Sequence, residues 1–243
     1  MLNYVDVQRT FSEFVRQNGG EVIEDTLQKS PDFKNADYLF RSPAIVAELK
    51  CLVENKAEDI NIKSKIQERM NRWMANGIIP PIYGKIRIQS KTLPEHCQHE
   101  LIDLYKPPIQ RRINKANKQI KATLDHLKIC NGKGLLILVN DGNYALEANA
   151  VLYLLNRILG KQFRYINSVV YLTVNMYGSS PLTLKPTLVW VHAFRPDVPP
   201  IDSAFVNDLF RGWRIYLEKA KGEIIEEIWV NNNSAIKQIK YIK

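Results

Sequence analysis

"NADYLFRSPAIVAELK", residues 35–50, decides the fold. It contains two apolar runs, "ADYLF" and "AIVAELK", separated by the turn-forming "RSP". Runs this short, rich in β-branched and aromatic residues and joined by so tight a link, read as neighbouring antiparallel strands. Side chains alternate along a strand, so Glu48 and Lys50 project to one face and Leu49 to the other. Asp37 starts the first run, eleven residues before Glu48. Hairpin pairing would bring Asp37 beside Glu48 and converge two carboxylates and one ammonium at one end of the sheet. Burying such charges in an apolar strand is unfavourable unless they pair or bind something.

The flanking sequence supplies the other layers. In "VDVQRTFSEFVRQN" (5–18), Val7, Phe11, Phe14 and Val15 share one side of a helix that Gly19-Gly20 ends. "EVIED" reads as a strand and "SPDFKN" as a turn. Residues 56–110 read as an insertion. It holds a helix at 59–76 with Ile62, Ile66, Met70 and Trp73 on one face, a half-exposed strand "KIRIQ", and a short helix "LPEHCQHELIDLY" stopped by Pro107-Pro108. A helix over 109–130 follows, with Ile113, Ile120, Leu124 and Leu127 facing the core. "LLILVND" then reads as a strand buried on both faces. A helix at 145–160, strands at 167–175 and 187–194, and a helix at 203–220 complete the pattern, before a basic tail, "NNNSAIKQIKYIK", expected at the periphery. The expectation is one α/β domain with a mixed central sheet: core 1–55 and 111–175, insertion 56–110, C-terminal extension 176–243.

Asp37, Glu48 and a backbone carbonyl make a hard-oxygen set suited to Mg²⁺ with several waters and a phosphate. Such an ion polarises a phosphoryl oxygen, and an adjacent lysine stabilises growing negative charge.

The order of helix, strand, strand with Asp, strand with Glu-x-Lys, helix and strand resembles the PD-(D/E)xK nuclease superfamily, with its restriction-endonuclease-like αβββαβ core. The likeness covers about residues 7–52 and 111–141. "SEFVRQNGGEVIE" is similar to the first helix and strand of Holliday-junction resolvases and Mrr-type enzymes. The resemblance implies an Mg²⁺-dependent endonuclease acting on DNA, with Mn²⁺ as a substitute. Asp37, Glu48 and the Leu49 carbonyl would be the metal ligands, and Lys50 would orient the attacking water. Glu13 would bind a second ion or a water, and Gln119 in "ANKQIKATL" would hold the lysine or a phosphate. The superfamily's usual Pro before Asp is Ala36 here; "SPDF" offers Pro31-Asp32 farther upstream, so Asp32 stands as a rival to Asp37. A homodimer, by the same resemblance, would let both strands be cut. The alternative is a non-catalytic nucleic-acid-binding or protein-interaction module on the same scaffold.

Composition agrees with a polyanionic partner. Among 243 residues, 34 Lys and Arg face 25 Asp and Glu, a net charge of +9. "RRINKANKQIKATLDHLK" (111–128) sets six cations against Asp125, with Arg111, Lys115 and Lys118 on one face, ready to track a phosphate backbone. Lys63, Lys65, Arg69 and Arg72 on the inserted helix invite the same reading. Three scattered cysteines without a CxxC argue for a reducing, cytoplasmic setting. The opening residues lack a signal-peptide pattern, and the longest apolar runs are too short to span a membrane. "HCQHE" (96–100) clusters His96, Cys97 and His99, but no complementary Cys/His pair completes a zinc set. "NGKG" (131–134) reads as a helix stop, and Trp213 and Tyr216 as packing for the last helix. No GxSxG, P-loop or GxGxxG occurs, so acyl transfer and nucleotide-triphosphate chemistry lack support.

Overall fold

The computed structural model describes residues 4–27, 33–53, 59–84, 92–160, 163–181, 185–195, 197–227 and 236–242. Helix α1 (Val7–Gln17) opens on an Asp6 cap, whose carboxylate accepts from the Arg9 N–H at 2.8 Å. It ends before Gly19, which has the left-handed φ of +77°. Strand β1 (Glu21–Val22), the one-turn helix α2 (Ile23–Thr26), β2 (Tyr38–Phe40) and β3 (Ile45–Leu52) follow. Then come α3 (Ile60–Ala75), α4 (Glu95–Asp103), α5 (Lys106–His126), β4 (Lys133–Asn140), α6 (Ala148–Leu159) and β5 (Ser168–Thr173). Strands β6 (Tyr177–Ser179) and β7 (Trp190–Phe194), helix α7 (Ser203–Lys221) and β8 (Lys240–Ile242) complete the chain.

The protein is α/β, with a mixed six-stranded sheet in the order β1-β2-β3-β4-β5-β7 and helices on both faces. The β2–β3 hairpin is antiparallel, and its link is closed by the Ala44 N–H donating to the Arg41 carbonyl at 2.9 Å. Strands β3, β4 and β5 run parallel at the centre, where both faces are buried; this is why "LLILV" and "VVYL" are continuously apolar. Their register is level at the carboxyl ends: Leu52 pairs with Asn140, and Asn140 with Thr173. One face packs on α5 and α6 through Ile113, Ile120, Val151 and Leu155. The other packs on α1 and α7, where Trp213 sits against Phe11 and Phe14 at 4.8 and 5.4 Å between ring centroids. Gly134 is required where β4 starts, since a Cβ there would lie 1.8 Å from the Tyr165 carbonyl oxygen. Helices α3 and α4 build a small core of their own around Met70, Trp73, Ile79 and Cys97.

Several expectations are corrected. "EVIED" is not one strand: it pairs only over Glu21–Val22, then turns helical. The Ile23 N–H goes to the Asp37 carbonyl and its side chain is buried, while Glu24 and Asp25 favour a helical first turn. Pro107 and Pro108 do not stop a helix but lie in the first turn of α5, where a missing N–H loses no intrahelical bond. The tail is not merely peripheral: β8 pairs with β6, and the Tyr241 hydroxyl lies 2.5 Å from that of buried Tyr171. The strand expected at "KIRIQ" and the rival Asp32 lie outside the described residues. Among the described residues, no helix is long and apolar enough to cross a membrane.

Candidate active site

The β2–β3 register sets Tyr38 opposite Ala47, so Asp37, one residue earlier, lies across from Glu48. Its carboxylate accepts from the Leu49 N–H at 2.8 Å. In a parallel-paired strand the N–H and C=O of one residue point to the same side. The Leu49 carbonyl therefore also opens toward Asp37, where β2 has not yet begun. The Glu48 side chain is 0% exposed, and its Oε1 is bonded to the Lys50 ammonium. Its Oε2 is buried with no hydrogen-bond partner. Asp37, Glu48, the Leu49 carbonyl and Lys50 thus lie together where β2 begins.

The electrostatics follow from burial. Removal from water pushes the Glu48 carboxyl up to about 8, and the Asp37 carboxylate adds to the rise; Lys50 pulls it down, but less. Burial also raises the Asp37 carboxyl, opposed by the Leu49 N–H, by Lys50 and by a hydrogen bond from the Gln8 side chain. Two acids held above their ordinary range, one with an orphaned oxygen, are a site that a proton or a hard cation satisfies. The donor set fits Mg²⁺: two carboxylates and a carbonyl are hard oxygen ligands, and an octahedral ion keeps its remaining positions for waters and phosphate oxygens.

Helix α5 holds the entry to β2. Gln119 donates its amide to the Asn35 carbonyl at 2.8 Å, and four residues on the Thr123 hydroxyl accepts from the Ala36 N–H at 2.8 Å. Gln119 therefore fixes the segment that presents Asp37 and is not bonded to Lys50, which corrects its expected role. Thr123→Val should leave a buried N–H unsatisfied, lowering stability by about 1–3 kcal/mol in urea unfolding and weakening Mn²⁺ binding in the same protein.

Glu13 is also corrected. It bonds Arg9 at 2.9 Å and the Tyr216 hydroxyl at 3.2 Å, half-exposed toward α7, and these partners hold its carboxyl below the usual range. The α1 residue that does reach the site is Gln8, one turn before Ser12, whose hydroxyl lies 3.2 Å from that of Tyr38. The signal was helical phase: Gln8 and Ser12 flank the buried Phe11 stripe on the Asp37 side, whereas Glu13 is rotated by about 140° from Gln8 at about 100° per residue.

Arg111, Lys115 and Lys118 are exposed. Around the α5 axis they occupy the flank next to Gln119 and Thr123, the side residues that touch the Asp37 segment. Arg112 donates to the Cys51 carbonyl at 3.2 Å, anchoring the start of α5 near the end of β3. Cys51 is no nucleophile, as burial and the Asp141 and Asp37 carboxylates push its thiol up to about 12. In the "HCQHE" segment Cys97 is buried against α3, and the His99 ring stacks on Tyr153 at 4.4 Å. Among the described residues, no three His, Cys, Asp or Glu side chains are grouped to hold a metal ion. The Asp37–Glu48 set uses only two carboxylates, with the third ligand from the main chain. Searches against protein-family models, curated proteins and solved structures each return no match.

Proposed function

We propose that this protein is a metal-dependent endonuclease that hydrolyses phosphodiester bonds in DNA on a restriction-endonuclease-like core. One observation carries the reading: Asp37, Glu48, the Leu49 carbonyl and Lys50 converge where β2 begins, with a buried carboxylate oxygen left unpaired. The order of helix, strand and Asp- and Glu-x-Lys-bearing strands around this point supports it.

Asp37, Glu48 and the Leu49 carbonyl would hold the ion. When bound, Mg²⁺ would polarise a phosphoryl oxygen and acidify a coordinated water. Lys50 supplies a fixed positive charge beside the reacting phosphate, which stabilises negative charge as it grows on the phosphoryl oxygens. Gln8 and the Leu49 N–H orient Asp37. Gln119 and Thr123 keep its segment in place. Arg111, Lys115 and Lys118 would grip backbone phosphates on the flank beside the site.

The test is incubation of the purified protein with single-stranded, duplex and branched DNA in Mg²⁺ or Mn²⁺. Cleavage is the expected result. No cleavage of any substrate, together with no Mn²⁺ binding dependent on Asp37 and Glu48, would overturn the reading and favour a non-catalytic binding module. Replacing Arg111, Lys115 and Lys118 together by alanine should weaken DNA binding at low salt. The slope of log affinity against log salt should become shallower by about 0.9 for each phosphate no longer neutralised, with the melting temperature unchanged.

A further inference from the structure

Beyond the carboxyl ends of the parallel strands lies a second feature, a cavity of about 340 Å³ that the proposed chemistry does not use. Clefts outside these ends are where open α/β sheets commonly bind ligands. Tyr144 follows β4 into it, Asn175 and Tyr177 follow β5, and Leu188 and Ile225 supply apolar wall. Two carboxylates line it: Glu223, and Glu226 beside Lys185, their charges 3.4 Å apart.

Beneath it lies Lys221, the last residue of α7, whose side chain is 1% exposed. Its ammonium donates to the Tyr177 hydroxyl at 3.1 Å and lies 3.8 Å from Glu223, and the Tyr177 hydroxyl donates in turn to Glu223. The chain Lys221–Tyr177–Glu223 therefore fixes one carboxylate in place at the cavity wall. A carboxylate has about four lone-pair sites, so the Tyr177 bond leaves Glu223 able to accept from a ligand.

We propose that this cavity takes up an unstacked guanine base of a nucleic-acid strand. Apolar walls with Tyr144 beside them suit the faces of a base. A fixed carboxylate accepts two parallel N–H donors, and among the common bases only guanine offers two adjacent ones, its ring N1–H and its exocyclic amino group. The cavity walls Leu188 and Ile225 pack with the α7-side core, and Glu48 shares the α5-side face of Val46 and Leu52, so a strand joining the two sites would pass around the carboxyl ends of the sheet. Strands β3 and β5 are second neighbours, so their ends lie about 10 Å apart, and Glu48 lies about 13 Å back from the end of β3. That span is a few nucleotides of extended strand. Placing the captured base near a cut rests on the nuclease reading; capture of the base itself does not.

The test measures binding with chelator present, so that no cleavage enters. Deoxyguanosine should bind the wild-type protein at least tenfold more tightly than deoxyadenosine, deoxycytidine or thymidine, read by saturation-transfer NMR titration. A short oligothymidylate carrying one guanine should bind more tightly than plain oligothymidylate. Glu223→Gln keeps the volume but replaces one acceptor by a donor, and should abolish the guanine preference. Glu226→Gln, at the rim, should reduce it without loss of fold, and Asp37→Asn should leave it unchanged. Equal affinity for all four nucleosides, preference for N-acetylarginine amide over deoxyguanosine, or guanine preference surviving in both glutamate variants would overturn the proposal. DNA cleavage without guanine preference would sink the cavity assignment alone, and guanine preference without cleavage would sink the nuclease reading alone.

Discussion

Lys50→Ala is expected to lower DNA cleavage about 10³-fold, the scale on which removal of one group that stabilises transition-state charge is felt. Two effects combine. The positive charge beside the reacting phosphate disappears. Glu48 also loses the one cation that draws its carboxyl downward, so at neutral pH it stays protonated more of the time and holds a metal less well. The fold should be little affected, because the Lys50 side chain is 21% exposed and carries none of the apolar core. Initial rates at saturating Mn²⁺, beside a thermal melt and DNA affinity in chelator, check this. A variant that cuts within tenfold of the wild-type rate, with melt and affinity unchanged, would remove Lys50 from the chemistry.

The second large effect is on stability and runs opposite to activity. Glu48→Gln is expected to stabilise the metal-free protein at pH 8 by about 3–5 kcal/mol, on the order of ten degrees in melting temperature for a chain of this size. Folding holds the Glu48 carboxyl at about 8, above the 4.5 of a free glutamate. The unfolded chain therefore gives up this proton at lower pH than the folded one. Stability is lost as pH rises from about 4.5 to about 8 and is level beyond. Glutamine carries no such penalty, so the difference between variant and wild type should vanish near pH 4 and be complete above pH 8. Cleavage should be absent in the variant. A difference in melting temperature that does not change with pH would show that Glu48 is ionised in the folded protein throughout that range.

The hairpin was legible because a period of two and a turn of fixed length leave little choice of register. Once Tyr38 faces Ala47, Asp37 must face Glu48. The central parallel strands were legible from their unbroken apolar runs. Tertiary contacts far apart in sequence were not. Nothing local in "EVIED" reveals that the Ile23 N–H will meet the Asp37 carbonyl and end β1 after two residues. Glu13 drew attention as an acid, yet helical phase turns it to Arg9 and Tyr216 and leaves the site to a neutral amide, Gln8. Thr123 sits 87 residues from the Ala36 it holds, and a threonine inside an amphipathic helix carries no mark of that task. The tail was misjudged for its charge: Lys237 and Lys240 speak for solvent, but Tyr241 between them and the end packs inward.

Helix α5 carries the two side chains that secure the segment before Asp37, and on its adjoining flank the cations suited to a phosphate backbone. A polyanion and a divalent ion would therefore not be independent ligands of this protein. If docking of the first steadies α5, the second finds its carboxylates already in place, and by thermodynamic reciprocity the ion must tighten the polyanion by the same factor. The free protein would then hold metal weakly and the loaded one firmly, so that hydrolytic competence would arise only in the ternary assembly.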